Sequence, residues 1–171
     1  VIGNIFSTPC LEHIIEFIMK DPLNTMILAK SLYGKSEKTK YKTPPIVLAN
    51  ALVRRGIKIF IPDTESEITD ELMQGKVSFL TFVRSKGLER NNIVVLNFDY
   101  GIEFFKGIPL PATIPNSFYV AATRARINLM LVQDNSVPCL PLELDSFVDE
   151  NFTKTIFSNS SITNKPRNPS T

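Results

Sequence analysis

The sequence has no tryptophan, one histidine and two cysteines in 171 residues. Cys10 and Cys139 have no spacing that suggests a metal site or a disulfide framework, so a reduced, intracellular setting, cytoplasmic or nuclear, is the expectation. No apolar stretch approaches the roughly 20 residues needed to span a bilayer, and no signal peptide is visible, so no membrane partner is expected. A strong excess of one charge is also missing. The net charge is +2 and the pI about 8.6, which neither requires nor excludes a nucleic-acid partner. The chain starts at Val1 rather than Met, as a piece of a longer protein would.

What is present suits one globular domain with a real core: 43% of the residues are hydrophobic and 21% charged. "VIGNIF" reads as a first strand. In "STPCLEHIIEFIMKDP", Thr8 can cap, Pro9 suits the first helical position, and Leu11, Ile14, Ile15 and Ile18 share a helical face that ends at Asp21-Pro22. The lone His13 is expected to lie partly exposed on that helix. "NTMILAK" reads as a buried strand, followed by a basic loop from Ser31 to Thr43. "TPPIVLANALVRRG" is a second helix, capped by Thr43, opened by Pro44 and ended by Gly56. "IKIFIP" predicts a strand and "ESEITDELMQG" a short helix or turn ending at Gly75. "KVSFLTF" and "NIVVLNFD" are two more strands. "NSFYVAATRAR" reads as a helix capped by Asn116, and "INLMLVQD" as the last strand. Strands alternating with helices at this spacing predict an α/β fold, a parallel sheet with helices on both faces in three layers. Residues 1–150 form the expected domain and 151–171 a flexible tail. The sequons at Asn151 and Asn159 read as chance matches in a chain without a secretory signal.

"AKSLYGKS", Ala29 to Ser36, fits a loose phosphate-loop pattern. Such a loop must launch a packed helix whose N-terminus faces the phosphates. Here "EKTKYKTPP" follows, with Tyr41 its one apolar residue and a double proline at its end. The match is therefore expected to be a coincidence. Asp99, at the end of "IVVLNFD", mimics an Mg²⁺-binding aspartate in the same way and reads as a strand-end residue. An autonomous small NTPase using Lys35 and Asp99 remains the alternative that this pattern offers.

Two stretches carry chemistry. "FLTFVRSKGLER" places Ser85, Lys86, Gly87 and Glu89 after a strand, at the carboxyl edge where open parallel sheets bind ligands. Gly87 lets backbone approach a ligand, and Glu89 can accept from a sugar hydroxyl. "NSFYVAATRAR" puts Thr123 and Arg124 on a helix whose Ala121, Ala122 and Ala125 permit tight packing, and an Arg held there can aim its fork at a phosphate. Taken singly, "SKGLE" also reads as a turn and "TRAR" as a solvated helix end.

Together, "TFVRSKGLE" and "FYVAATRA", followed by an apolar strand, resemble the last two motifs of UvrD/Rep-type superfamily 1 helicases, Thr-x-His-x-x-Lys-Gly-Leu-Glu and Tyr-Val-Ala-x-Thr-Arg-Ala. "GLERNNIVVLNFD" and "IPNSFYVAATRA" are especially similar to UvrD-like helicases of large DNA viruses and some protists. The similarity covers roughly Thr25 to Asp134. It implies the second, C-terminal RecA-like domain of an ATP-dependent helicase, without the large inserted subdomain of bacterial relatives. The N-terminal RecA-like domain would be its partner and would supply the phosphate loop and the Mg²⁺ ligands for ATP. On this chain the resemblance implies Arg124 as arginine finger and catalytic residue, Glu89 at the ribose, and Lys86 and Gly87 in the loop that follows the nucleotide state. It implies Thr81 as a contact to single-stranded DNA, or RNA. The family's DNA-contacting histidine is Val83 here, and the adjacent Arg84 is the candidate to replace it. Lys35, Lys38, Lys40 and Lys42 can add phosphate contacts. The second alternative is a non-catalytic, orphaned helicase half that binds nucleic acid or a partner.

Overall fold

A computed structural model describes residues 4–63, 67–99, 101, 106–110 and 113–134. Cys139, both sequons and the tail lie outside these residues. The elements run α1 (Thr8–Met19), β1 (Thr25–Ala29), α2 (Pro44–Arg54), β2 (Ile59–Phe60), α3 (Asp70–Met73), β3 (Val77–Thr81), β4 (Arg90–Val95), α4 (Asn116–Ala122) and β5 (Ala125–Leu131). The strands form one parallel sheet in the order β2-β3-β1-β4-β5, the expected three-layer RecA-like architecture.

Alternation along the inner strands builds two cores at once. Ile27 and Ala29 of β1, Val77 and Phe79 of β3 and Val94 of β4 face one side, where Ile14, Ile18, Leu48 and Leu52 of α1 and α2 cover them. Met26, Leu28, Leu80, Ile93 and Val95 face the other side, under Met73, Phe82, Phe98, Phe118 and Ala121. β1 is buried at every position, as a central strand covered on both faces must be. An ion pair from Arg55 to Glu12 ties α2 to α1 on the surface.

Several local expectations need correction. The described part of "VIGNIF", Asn4 to Phe6, is a turn closed by a hydrogen bond from Ser7 N–H to the Asn4 carbonyl, not a strand. Ser7 rather than Thr8 occupies the N-cap of α1. Thr43 stands at the α2 N-cap, but its hydroxyl donates to the Leu32 carbonyl at 2.6 Å and so closes the preceding loop instead of capping the helix. Pro115, not Asn116, is the N-cap of α4. α4 ends at Ala122 because β5 begins at Ala125; Thr123 is its C-cap and Arg124 lies in the turn. Gly56 and Gly75 follow α2 and α3 with φ of +77° and +71°, the left-handed conformation that ends helices cheaply with glycine.

Phe118 anchors α4. It is fully buried, with its ring centroid 5.3 Å from Phe82 and 4.9 Å from Phe98. Phe118→Ala is expected to cost about 3–5 kcal/mol of stability. Urea denaturation of the full chain checks this, and a loss below 1 kcal/mol would show that the cluster collapses around the gap.

Candidate functional site

The candidate residues divide between the two edges of the sheet. Thr81 pairs with Ala29 at the carboxyl ends of β3 and β1, whereas Arg90 opens β4 and pairs with Ala125 at the amino end of β5. Through the β1–β4 register, these levels lie roughly 20 Å apart along the strands.

At the carboxyl edge, Phe82 N–H donates to the Ala29 carbonyl at 3.1 Å and starts a turn over 82–87. The Thr81 hydroxyl oxygen accepts from Arg84 N–H at 3.3 Å. Val83, at the histidine position of the resemblance, is 70% exposed. The Arg84 guanidinium donates to the Asp63 carbonyl at 2.7 Å. Ser85 turns inward: it is fully buried and its hydroxyl donates to the Phe82 carbonyl at 2.9 Å. Lys86 and Gly87 are exposed. Gly87 has φ +79° with open space where a Cβ would stand, so conformation rather than close approach calls for glycine here.

The expectation that Glu89 stands with Ser85 at the carboxyl edge is corrected. Parallel strands of one sheet need a crossover between them, and 82–89 is itself the crossover from β3 to β4, passing over β1. Glu89 therefore arrives at the amino edge. There it meets the second motif. Arg90 N–H donates to the Arg124 carbonyl at 3.2 Å, and Arg126 Nε donates to Glu89 Oε2 at 3.0 Å. Arg124 is half-buried; its Nε donates to the Val120 carbonyl at 3.0 Å and its Nη2 to the Thr123 hydroxyl at 3.2 Å. These bonds lay the guanidinium along the last turn of α4. Among the described residues it has no carboxylate partner. Arg126 and Arg90, which pairs with Asp70 at 3.0 Å, were not assigned from sequence. The second arginine of "TRAR" was the available signal. Leu23, Asn24, Asp70, Met73, Gly75 and Arg90 line an open cavity of about 640 Å³ beside this edge.

The phosphate-loop look-alike has no phosphate-loop geometry. Turns occupy 37–41, and the next helix starts at Pro44. Gly34 N–H donates to the Lys40 carbonyl at 3.2 Å and Ser36 N–H to the Thr39 hydroxyl at 3.3 Å, so these donors face into the loop. Asp99 is buried and accepts from the backbone N–H groups of Gly101 and Asp134 at 2.9 and 3.0 Å. It holds a strand end rather than a metal-facing position.

No protein-family model matches the chain. No curated protein matches it either. Among solved structures, the chain is similar to the C-terminal domain of a possible DNA helicase from Lactobacillus plantarum WCFS1. The identity is 20%, the TM-score 0.50, and the match covers 81% of this chain and 73% of that one. The C-terminal part of the Fun30 ATPase domain aligns at 14% identity and a TM-score of 0.47, over 84% of this chain and 48% of that one. At this identity the first likeness shows a shared fold, and the second adds nothing to it.

Burial pushes the Asp99 carboxyl above its ordinary value of 3.8, although the Asp134 and Gly101 N–H groups and Lys30 pull it down. The folded state then binds the proton more tightly than the unfolded chain. This contribution is full below 3.8 and is lost as pH rises through the folded-state value. Urea titrations between about pH 4 and pH 7 should show wild type losing stability relative to Asp99→Asn as pH rises. A constant difference would contradict the assignment.

Proposed function

We propose that this chain is the C-terminal RecA-like half of an ATP-dependent, UvrD/Rep-type superfamily 1 helicase or translocase. The observation that carries the reading is the meeting of Glu89 and Arg124 at one sheet edge. Two separate motif stretches supply them, and the Arg90–Arg124 and Arg126–Glu89 hydrogen bonds hold those stretches together. A carboxylate and, on the same edge, a guanidinium with no carboxylate partner among the described residues suit a nucleotide's sugar hydroxyls and its phosphates. The fold it shares with the C-terminal domain of a possible DNA helicase supports the same reading.

In this reading the N-terminal RecA-like domain of the same protein binds ATP and its Mg²⁺, and this chain forms the opposite wall. Glu89 receives the ribose. Arg124 swings from its resting bonds on α4 and stabilises charge developing on the γ-phosphate, as an arginine finger does. Lys86 and Gly87, on the exposed crossover, follow the state of the nucleotide. The crossover starts at Thr81 and Arg84, on the edge assigned to the single strand, so one segment joins the two functions.

Two experiments test this. The isolated chain should fold without hydrolysing ATP, because half the cleft is missing; turnover abolished by Lys35→Ala would instead support a small NTPase. In a protein carrying both domains, Arg124→Ala should lower kcat by about 10³-fold or more and leave ATP binding nearly unchanged. Near-normal turnover in steady-state assays would reduce Arg124 to a surface residue and favour the non-catalytic module.

A further inference from the structure

Five of the chain's 19 basic residues sit in one short segment. Lys30, Lys35, Lys38, Lys40 and Lys42 stand against Glu37 alone in the segment 30–42, while the whole chain has a net charge of only +2. This segment is a built loop rather than a loose one. A Cβ on Gly34 would stand 2.4 Å from the Thr39 carbonyl oxygen, so only glycine permits the closure. Gly34 N–H to the Lys40 carbonyl, Lys40 N–H to the Ser36 carbonyl at 2.8 Å and the Thr43 hydroxyl to the Leu32 carbonyl complete it.

The closure presents Tyr41. It is 61% exposed, in edge contact with half-buried Tyr33 at 6.4 Å, with the Lys40 ammonium 5.4 Å from its ring centroid. Tyr33 braces the ring from within the loop. The loop leaves the carboxyl end of β1, the edge that also carries Thr81, Val83 and Arg84. Asp63 joins the two: its carbonyl accepts from Arg84, and its carboxylate, after burial, raises the Tyr33 pKa.

We propose that the 31–43 loop is a single-strand docking site in which Tyr41 stacks on a base while Lys38, Lys40 and Lys42 hold the flanking phosphates. A membrane surface fits less well, because the loop offers one aromatic ring and no apolar face to insert. A solvated charge run needs neither a braced ring nor a glycine-locked closure. An aromatic ring among cations is the arrangement that grips a single strand regardless of base. Stacking here supplies grip on the edge where Val83 supplies none. The inference rests on the nucleic-acid half of the function proposed above and adds a site to it.

The test uses the full chain and two labelled probes of equal length, an oligo(dT) and a strand of abasic deoxyribose-phosphate units, followed by fluorescence anisotropy. Tyr41→Ala should weaken oligo(dT) binding by about fivefold to a hundredfold, and Tyr41→Phe should restore it. The abasic strand should bind wild type and Tyr41→Ala alike. Replacing Lys38, Lys40 and Lys42 together by Ala should weaken both probes and flatten the salt slope on log–log axes by about 2. Thermal melts matching wild type show that the variants fold, as expected for exposed loop positions. If wild type binds oligo(dT) and Tyr41→Ala binds it equally well, or if both probes are lost alike, the stacking site is wrong while the broader reading stands. If wild type binds neither probe, the nucleic-acid reading fails with it. Preference for phosphatidylserine vesicles over oligo(dT) would assign the loop to a membrane and overturn the proposal.

Discussion

The crossover from β3 to β4 is the constraint on which the arrangement of the site depends. A parallel strand of the same sheet cannot be reached through a hairpin, and β1 lies between the two strands. Residues 82–89 must therefore travel from the carboxyl edge to the amino edge across one face of the sheet. Buried Phe82 and Ser85 pin the segment to that face, and Gly87 turns it with a positive φ. One short motif consequently serves both edges. Its first residues, Thr81 to Arg84, stay where β3 ends, and its last, Glu89, lands beside the turn that follows α4.

Phe118 joins the crossover to the second motif. Its ring touches Phe82 at the start of the crossover and Phe98 beyond β4, and the Lys30 ammonium lies 4.7 Å from its centroid. α4 is short, with few other apolar contacts to fix it; Phe118 and Ala121 are its buried residues. The position of Arg124, just past the end of α4, is thus set by the same aromatic cluster that seats the crossover. This packing is a direct contact between the start of the crossover at the carboxyl edge and the helix whose end positions Arg124 at the amino edge.

Much of the fold was legible because the physics was local. Short, mostly apolar runs in "TMILA" and "VSFLT", which are buried along almost their whole length, proline at the starts of α1 and α2, and glycine after α2 and α3 each act within a few residues. The misplacements came from tertiary demands. Nothing in "SKGLER" says that it crosses a sheet, because that depends on β1 lying between β3 and β4. The Thr43 side chain had two acceptable partners, and the loop's need for closure decided between them. The Arg126–Glu89 pair joins residues 37 apart in sequence, beyond any helical or strand periodicity.

The two conspicuous carboxylates, Glu89 and Asp99, are separated by what holds each of them. Asp99 is buried on two backbone N–H groups, and releasing it would leave those donors unpaired, at about 1–3 kcal/mol each. Glu89 is held by a single arginine contact with the side chains 46% and 63% exposed, and solvent-screened pairs of that kind contribute at most about 1 kcal/mol. A ligand hydroxyl can take the place of Arg126 at little cost to the fold. The carboxylate that looks engaged in the resting structure is therefore the available one, and the strand-end aspartate that imitates a metal ligand is committed to the backbone.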